Sequence, residues 1–190
     1  GAFIPDSYAS LQALRNALAD FRKAGKFIIA YSDTYTQGAY YVASVADKVY
    51  LNPQGTLDWH GLAAQNVYYK DMLAKFGVKV QVAKVGAYKS AVEPFTSDKM
   101  SDANREQVSQ YLNGLWANVV KAVSDSRKVS TAQLNAYADS LITLAAPTDY
   151  QKMKLVDGLL YTDQVKNVVK KRLGVSPDSR IHQISVSQLN

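Results

Sequence analysis

The sequence predicts an α/β fold with parallel strands, and three observations carry that expectation. Amphipathic helical stretches alternate with short apolar runs through the first half. Some of those runs are nearly continuous, as expected of strands covered on both faces. The second half is dominated by helical periodicity. A length of 190 residues suits a single domain or a large part of one, and 47% apolar with 20% charged residues gives enough material for a core.

The elements follow in order. Residues 7–23 form a helix, with Leu11, Leu14, Leu18 and Phe21 at helical spacing, Asp6 as a cap and Gly25 as a stop. Residues 26–31 are a buried parallel strand, and residues 32–37 a polar turn. The small-residue run 38–46 is a buried helix. Residues 48–51 are a second strand, ended by Asn52-Pro53, and residues 56–61 are strand or extended loop. Residues 67–76 are an amphipathic helix stopped by Gly77. Val78, Val80 and Val82 alternate towards a strand over 78–85.

Downstream, Val108, Tyr111, Leu112, Leu115, Trp116, Val119, Val120 and Val123 make one long apolar stripe. Ser130 with Gln133 fits a capping box, and so does Thr148 with Gln151. Val165, Val168, Val169 and Leu173 mark a last helix ending at Gly174, and residues 184–186 a terminal strand. Most of the 13 tyrosines, including Tyr40, Tyr41, Tyr111 and Tyr150, fit core or subunit contacts, with a subunit edge as the second reading for Tyr68 and Tyr69.

Composition narrows the chemistry. There is no cysteine, hence no disulfide or thiolate chemistry. His60 and His182 lie far apart without zinc-ligand spacing, so no metal is expected. Asp33, Asp47 and Asp58 form no obvious carboxylate pair. The net charge of +6 is scattered apart from Lys170, Lys171 and Arg172, which suit a helix C-terminus, and no nucleic-acid signature accompanies it. No apolar run approaches the roughly 20 residues that span a bilayer. The start on Gly1 rather than methionine reads as a fragment, with a targeting or anchoring segment left out.

Lys89 is the candidate catalytic residue. It sits in Val85-Gly86-Ala87-Tyr88-Lys89-Ser90-Ala91-Val92-Glu93-Pro94-Phe95, among small or apolar neighbours, with no acid nearer in sequence than Glu93. A lysine accepts a proton only when neutral, and its ordinary pKa of about 10.4 must be lowered by desolvation for that. A lone lysine is otherwise a solvated charge. Ser90 and Glu93 flank it without an assigned role, and Val92 and Phe95 fit either an apolar groove or core packing.

Residues 35–44 (Tyr-Thr-Gln-Gly-Ala-Tyr-Tyr-Val-Ala-Ser), 85–95 and 155–159 (Leu-Val-Asp-Gly-Leu) together resemble bacterial signal peptide peptidases of the protease IV type, membrane-bound serine proteases. The likeness covers nearly the whole chain, and the match around Tyr88-Lys89-Ser90-Ala91 is specific. It implies a crotonase/Clp-protease-like superhelix of repeated β-β-α units with a helical second half, and residues 1–190 as one domain, the amino-terminal half of a tandem enzyme. It implies a Ser-Lys dyad split between the tandem domains, with Lys89 as the lysine. The family's nucleophile lies in an Ala-Ser-Gly-Gly-Tyr type turn at a helix start. The aligned run here is Thr36-Gln37-Gly38-Ala39-Tyr40, so Gln37 stands at the serine position, and a carboxamide cannot attack a carbonyl. Thr36 is one residue out of register.

The resemblance further implies a serine-bearing carboxy-terminal domain as partner, a tetrameric homo-oligomer and apolar signal peptides as substrates. It implies no cofactor, and placement at the bacterial inner membrane with the catalytic domain on the periplasmic side. Two rival readings stand beside it: a non-catalytic scaffold or oligomerisation domain, favoured by Gln37, and a crotonase-like acyl-CoA enzyme.

Overall fold

The computed structural model describes residues 7–82, 90–185 and 188. The described elements are, in order, α1 (Tyr8–Lys23), β1 (Ile29–Tyr35), α2 (Gln37–Ala43), β2 (Lys48–Leu57), α3 (Lys70–Lys75), α4 (Glu93–Thr96), α5 (Asp102–Arg127), α6 (Thr131–Asp139), a short 3-10 segment (Ile142–Leu144), α7 (Pro147–Lys152), β3 (Gly158–Leu159) and α8 (Thr162–Leu173). They fall into two compact units: residues 1–60 with 122–190, and residues 61–121.

The first unit holds a three-stranded parallel sheet in the order β1-β2-β3. The alternation of helix and strand therefore delivers the parallel α/β architecture. α1 opens on Ser7, whose side chain accepts from the N–H of Ser10, and closes ahead of Gly25 at φ +80°. Asp6, the expected cap, lies outside the described residues.

Two strands are longer than expected. β1 begins at Ile29 and runs on through Ser32–Tyr35, residues that read as a polar turn. β2 does not end at Asn52-Pro53 but continues to Leu57. The reason is a bulge. Ser32 pairs with Leu51 and Thr34 with Thr56, so residues 52–55 loop out of register between them. Pro53 lies in that bulge, where the ladder needs no N–H from it. Polar side chains hold it: Asn52 Nδ2 donates to Asp33 Oδ1 at 2.8 Å, and Asn52 Oδ1 accepts from the Gln54 N–H at 2.9 Å. Gly55 is obligatory, because a Cβ there would stand 2.5 Å from the Asp33 carbonyl oxygen.

The core of this unit is aromatic and aliphatic. Tyr40 meets Tyr35 and Trp59 edge-on, with centroids 6.1 and 5.9 Å apart. The Tyr40 hydroxyl donates to the Leu155 carbonyl at 2.7 Å, and Trp59 Nε1 to the Leu134 carbonyl at 2.8 Å. Leu11, Val49, Leu51, Leu57, Val123, Leu134 and Tyr150 are buried with them. Buried Arg15 ties α1 to its surroundings. Its guanidinium donates to the Tyr41 carbonyl, to Ser44 Oγ at 2.7 Å, to the Ala122 carbonyl at 2.8 Å and to Ser126 Oγ at 2.6 Å.

Further expectations need correction. α7 starts at Pro147 with Ala146 as its cap, not at Thr148, because proline at the first position has its φ already set for the helix. Residues 78–82 form no strand, and Val78, Val80 and Val82 are exposed; residues 83–85 of that stretch lie outside the described residues. Ile184 and Ser185 are not in a strand, and Val186 is outside the described residues. Of the tyrosines expected at core or subunit contacts, Tyr40, Tyr41 and Tyr150 are in the core, while exposed Tyr111 leaves the subunit alternative. Ser130 caps α6 as expected, accepting from the Gln133 N–H at 3.2 Å, and α8 ends at Gly174 with φ +70°.

Candidate active site

The corner expected to correspond to the nucleophile turn, residues 36–40, joins β1 to α2. Thr36 is the cap of α2, and its side-chain oxygen accepts from the Ala39 N–H at 3.3 Å. That bond fixes the hydroxyl as a capping group, consistent with its being out of register for attack. Gln37 is the first helical residue and only 4% exposed. Its Nε2 donates to the Tyr8 hydroxyl at 2.8 Å, and its Oε1 accepts from the His60 N–H at 2.9 Å. The carboxamide thus bridges the start of α1 to the chain leaving Trp59. A serine at this position is too short to span both partners. The corner is a structural joint.

An open cleft of about 490 Å³ runs along β1 to this corner. Leu14, Leu18, Ile29, Tyr35, Thr36 and Ala39 are among its walls. Its character is predominantly apolar.

The Leu-Val-Asp-Gly-Leu segment builds the far strand of the sheet. Leu155 and Val156 are buried, and Gly158–Leu159 pair with Tyr50 and Leu51 as β3. Asp157 locks the start of β3. Its Oδ2 accepts from Arg127 Nη1 and from the Val49 N–H, each at 2.8 Å, while its own N–H donates to the Val49 carbonyl at 2.7 Å. Burial works to raise its pKa, but the Arg127 and Val49 hydrogen bonds and the charges of Arg127 and Lys48 outweigh it. The carboxyl therefore stays below the ordinary aspartate value. This segment carries the fold, and no reacting group.

Lys89 lies outside the described residues, as does the chain from 83 to 88. Residues 90–101, on its carboxy-terminal side, belong to the unit of residues 61–121. The Ser90 carbonyl accepts from the Glu93 N–H at 3.0 Å, closing a turn that leads into α4. Glu93 opens α4, and sequence reasoning assigns it no role. It is 3% exposed. Ser101 Oγ donates to its Oε1 at 2.6 Å, and Asn104 Nδ2 and the Ser101 N–H donate to its Oε2 at 2.9 and 3.3 Å. Ser101 Oγ also accepts from the Asn104 N–H at 3.2 Å, starting α5. The one signal in the sequence is a carboxylate eight residues ahead of a Ser-x-x-Asn helix start. Phe95 is 46% exposed and stacks on Tyr69 with centroids 6.0 Å apart, so it presents apolar surface and is no core residue. Tyr69 itself is partly exposed.

The remaining titratable candidates stay apart. Asp33 binds Asn52 and Tyr31, Asp47 pairs with Arg22 at 2.7 Å, and Asp58 contacts His60 at 3.1 Å and Thr143 at 2.8 Å. Among the described residues no cluster of His, Asp and Glu is arranged to hold a metal, and no helix is long and apolar enough to cross a membrane.

Comparison with known proteins gives this arrangement a class, that of the peptidases. Residues 20–176 match the sequence profile of peptidase family S49, and the chain belongs to that family. It is 41% identical over 173 residues to Protease 4 of Salmonella typhi, covering 88% of this chain and 28% of that protein. It is 43% identical over 129 residues to Protease 4 of Haemophilus influenzae, covering 68% and 20%. At 25% identity over 177 residues it also matches the chloroplastic serine protease SPPA of Arabidopsis thaliana, covering 92% and 25%. The chain thus spans about a quarter of the length of these relatives.

Proposed function

We propose that this chain is the lysine-bearing part of a serine endopeptidase whose nucleophile lies outside residues 1–190. The observation that supports this reading is Gln37. The residue at the nucleophile position is a carboxamide committed to Tyr8 and His60, while the family to which the chain belongs consists of peptidases. Lys89 is then the general base. Neutral Lys89 takes the proton of a serine hydroxyl as that hydroxyl attacks the peptide carbonyl, and returns a proton to the leaving amine. A lysine base requires neither His nor Asp, which suits a chain with only two histidines. The partner is a serine-bearing domain of the same enzyme, the assembly a homo-oligomer of four subunits, and the fold the crotonase/Clp-like superhelix. The substrates are apolar signal peptides, met at the periplasmic face of the bacterial inner membrane.

In the complete protein, Lys89→Ala and Lys89→Arg should each abolish peptide turnover while leaving thermal unfolding unchanged. Arginine fails because its guanidinium stays protonated at working pH. The 190-residue chain alone should show no turnover sensitive to serine-directed inhibitors. Full turnover by the chain alone, or by the complete Lys89→Ala protein, would refute the assignment. A scaffold role is the second reading, and the locked Gln37 corner is what favours it; retention of turnover in Lys89→Ala would select it.

A further inference from the structure

We propose that the groove between the sheet face and α8 binds the carboxy-terminal end of an apolar peptide, with the free α-carboxylate held by its basic rim. The groove lies wholly within the unit of residues 1–60 and 122–190 and does not depend on Lys89; its use in peptide turnover rests on the peptidase reading above.

The groove has a volume of about 440 Å³, within the range of roughly 300–1,000 Å³ that small ligands occupy. Two periodicities build it. Ile29 of β1 pairs with Lys48 of β2, and Tyr50 lies two residues further along β2, so these three side chains share one face of the sheet. Val168, Lys171 and Arg172 stand at i, i+3 and i+4 on α8, on the helix face that lines the groove. Phe27 completes the floor, with its ring centroid 5.3 Å from Arg172 Cζ. The floor is apolar, made by half-buried Phe27, Ile29, Tyr50 and Val168.

Charge selects the ligand. Lys48, Lys171 and Arg172 are exposed around this floor. Cations at the end of α8 also suit the helix dipole, and Lys170 serves there, donating to the Pro177 carbonyl. Lys171 has no such partner among the described residues. Lys48 makes only a 3.7 Å approach to Asp157, whose carboxylate is already held by Arg127 at 2.8 Å. Asp47, the acid of the lining, is matched by Arg22 at 2.7 Å and accepts from the Ile28 N–H at 2.8 Å. The charge left over is positive. An anion with an apolar body fits both parts: apolar side chains leave water against the floor, and the carboxylate meets a guanidinium and two ammonium groups. An internal stretch of an apolar peptide has the first part without the second, and only its free end has both. A membrane surface matches less well. Recognition of anionic lipids takes about four to eight cations, whereas the cations here surround a recess and are fewer.

The test measures binding by fluorescence anisotropy. It uses the complete protein, first inactivated with a serine-directed fluorophosphonate so that no peptide is cut. A labelled apolar peptide is made twice, with a free carboxylate and with a carboxy-terminal amide. The acid should bind about tenfold more tightly than the amide, and raising salt from about 50 mM to about 500 mM should shrink that ratio. Serines in place of the last few apolar residues of the peptide should weaken binding of the acid about fivefold or more. Lys171→Glu should bring acid and amide within about twofold of each other. Thermal unfolding should not change, because Lys171 is exposed. Lys171→Gln takes its place if the charge reversal does not fold. Equal binding of acid and amide by the parent, or a preference that survives in either folded variant, would overturn the proposal. So would anionic phospholipid vesicles that bind the parent better than Lys171→Glu while the acid has no advantage over the amide, a result that assigns the basic rim to a membrane. The binding ratios are read without turnover, so the two assignments fail differently: the lysine through activity in Lys89→Ala, the groove through equal binding of acid and amide.

Discussion

The unit of residues 1–60 and 122–190 exposes Phe21, Leu144 and Ile184 but has a core of large buried side chains whose polar atoms are bonded: Tyr40 to Leu155, Trp59 to Leu134, Tyr150 to Ile142. In the unit of residues 61–121, large apolar side chains lie at the surface. Val67, Tyr69, Met72, Val78 and Phe95 are exposed, and Phe76 is 78% exposed. Its buried residues include Val119 and Val120 and the polar cluster around Glu93. The difference teaches where each job sits. The corner at residues 36–40 belongs to that packed core, with Gln37 and Tyr40 buried. Residues 90–104 are linked by a few hydrogen bonds centred on Glu93.

That contrast breaks if core substitutions in the first unit prove mild. Trp59 is fully buried, and Trp59→Ala should cost about 3–5 kcal/mol. Urea unfolding checks it, and a loss below about 1 kcal/mol would place the core elsewhere. Next in size is the Asp157 joint. Its carboxyl titrates below the ordinary aspartate value in the folded chain, so its contribution is present above the unfolded pKa of about 3.9 and is lost as pH falls through the folded value. Asp157→Asn should therefore lower stability at neutral pH by about 1.5–3 kcal/mol, with the gap to the parent closing as pH falls below the unfolded aspartate value. Melting curves across pH measure this directly.

The smallest effect sharpens the contrast most. Gln37→Ala strands the Tyr8 hydroxyl and the His60 N–H, and should cost about 1–3 kcal/mol. In the complete enzyme it should leave kcat and the pH profile unchanged in the folded fraction. A rate loss at Gln37 with unchanged stability would mean that the corner still takes part in the reaction.

Much of this fold can be read locally. The leucine spacing and Gly25 of α1, the small residues of α2, and the valines and Gly174 of α8 are short-range signals, and each marks its helix. What escapes is non-local. β3 is two residues long and exists because Tyr50 and Leu51 are there to pair with it. Ser32, Asp33 and Thr34 are polar, yet they extend because the bulge at residues 52–55 meets them. Val78, Val80 and Val82 have the alternation of a strand, but alternation supplies a face and not a partner.

The candidate site divides the same way. The glutamine at the nucleophile position is legible as a chemical impossibility, whereas its bonds to Tyr8 and His60 require the fold. In the sequence Glu93 is visible only as an acid near a lysine. Its burial against Ser101 and Asn104 depends on where α5 begins.

The central claim is that the base lies on this chain and the nucleophile does not. The most direct measurement is labelling of the complete protein with a serine-directed fluorophosphonate, with Lys89 intact and as Lys89→Ala, together with mapping of the modified residue. The account predicts one labelled serine outside residues 1–190, with labelling lost in Lys89→Ala. A labelled serine within residues 1–190, or equal labelling in both proteins, would contradict it.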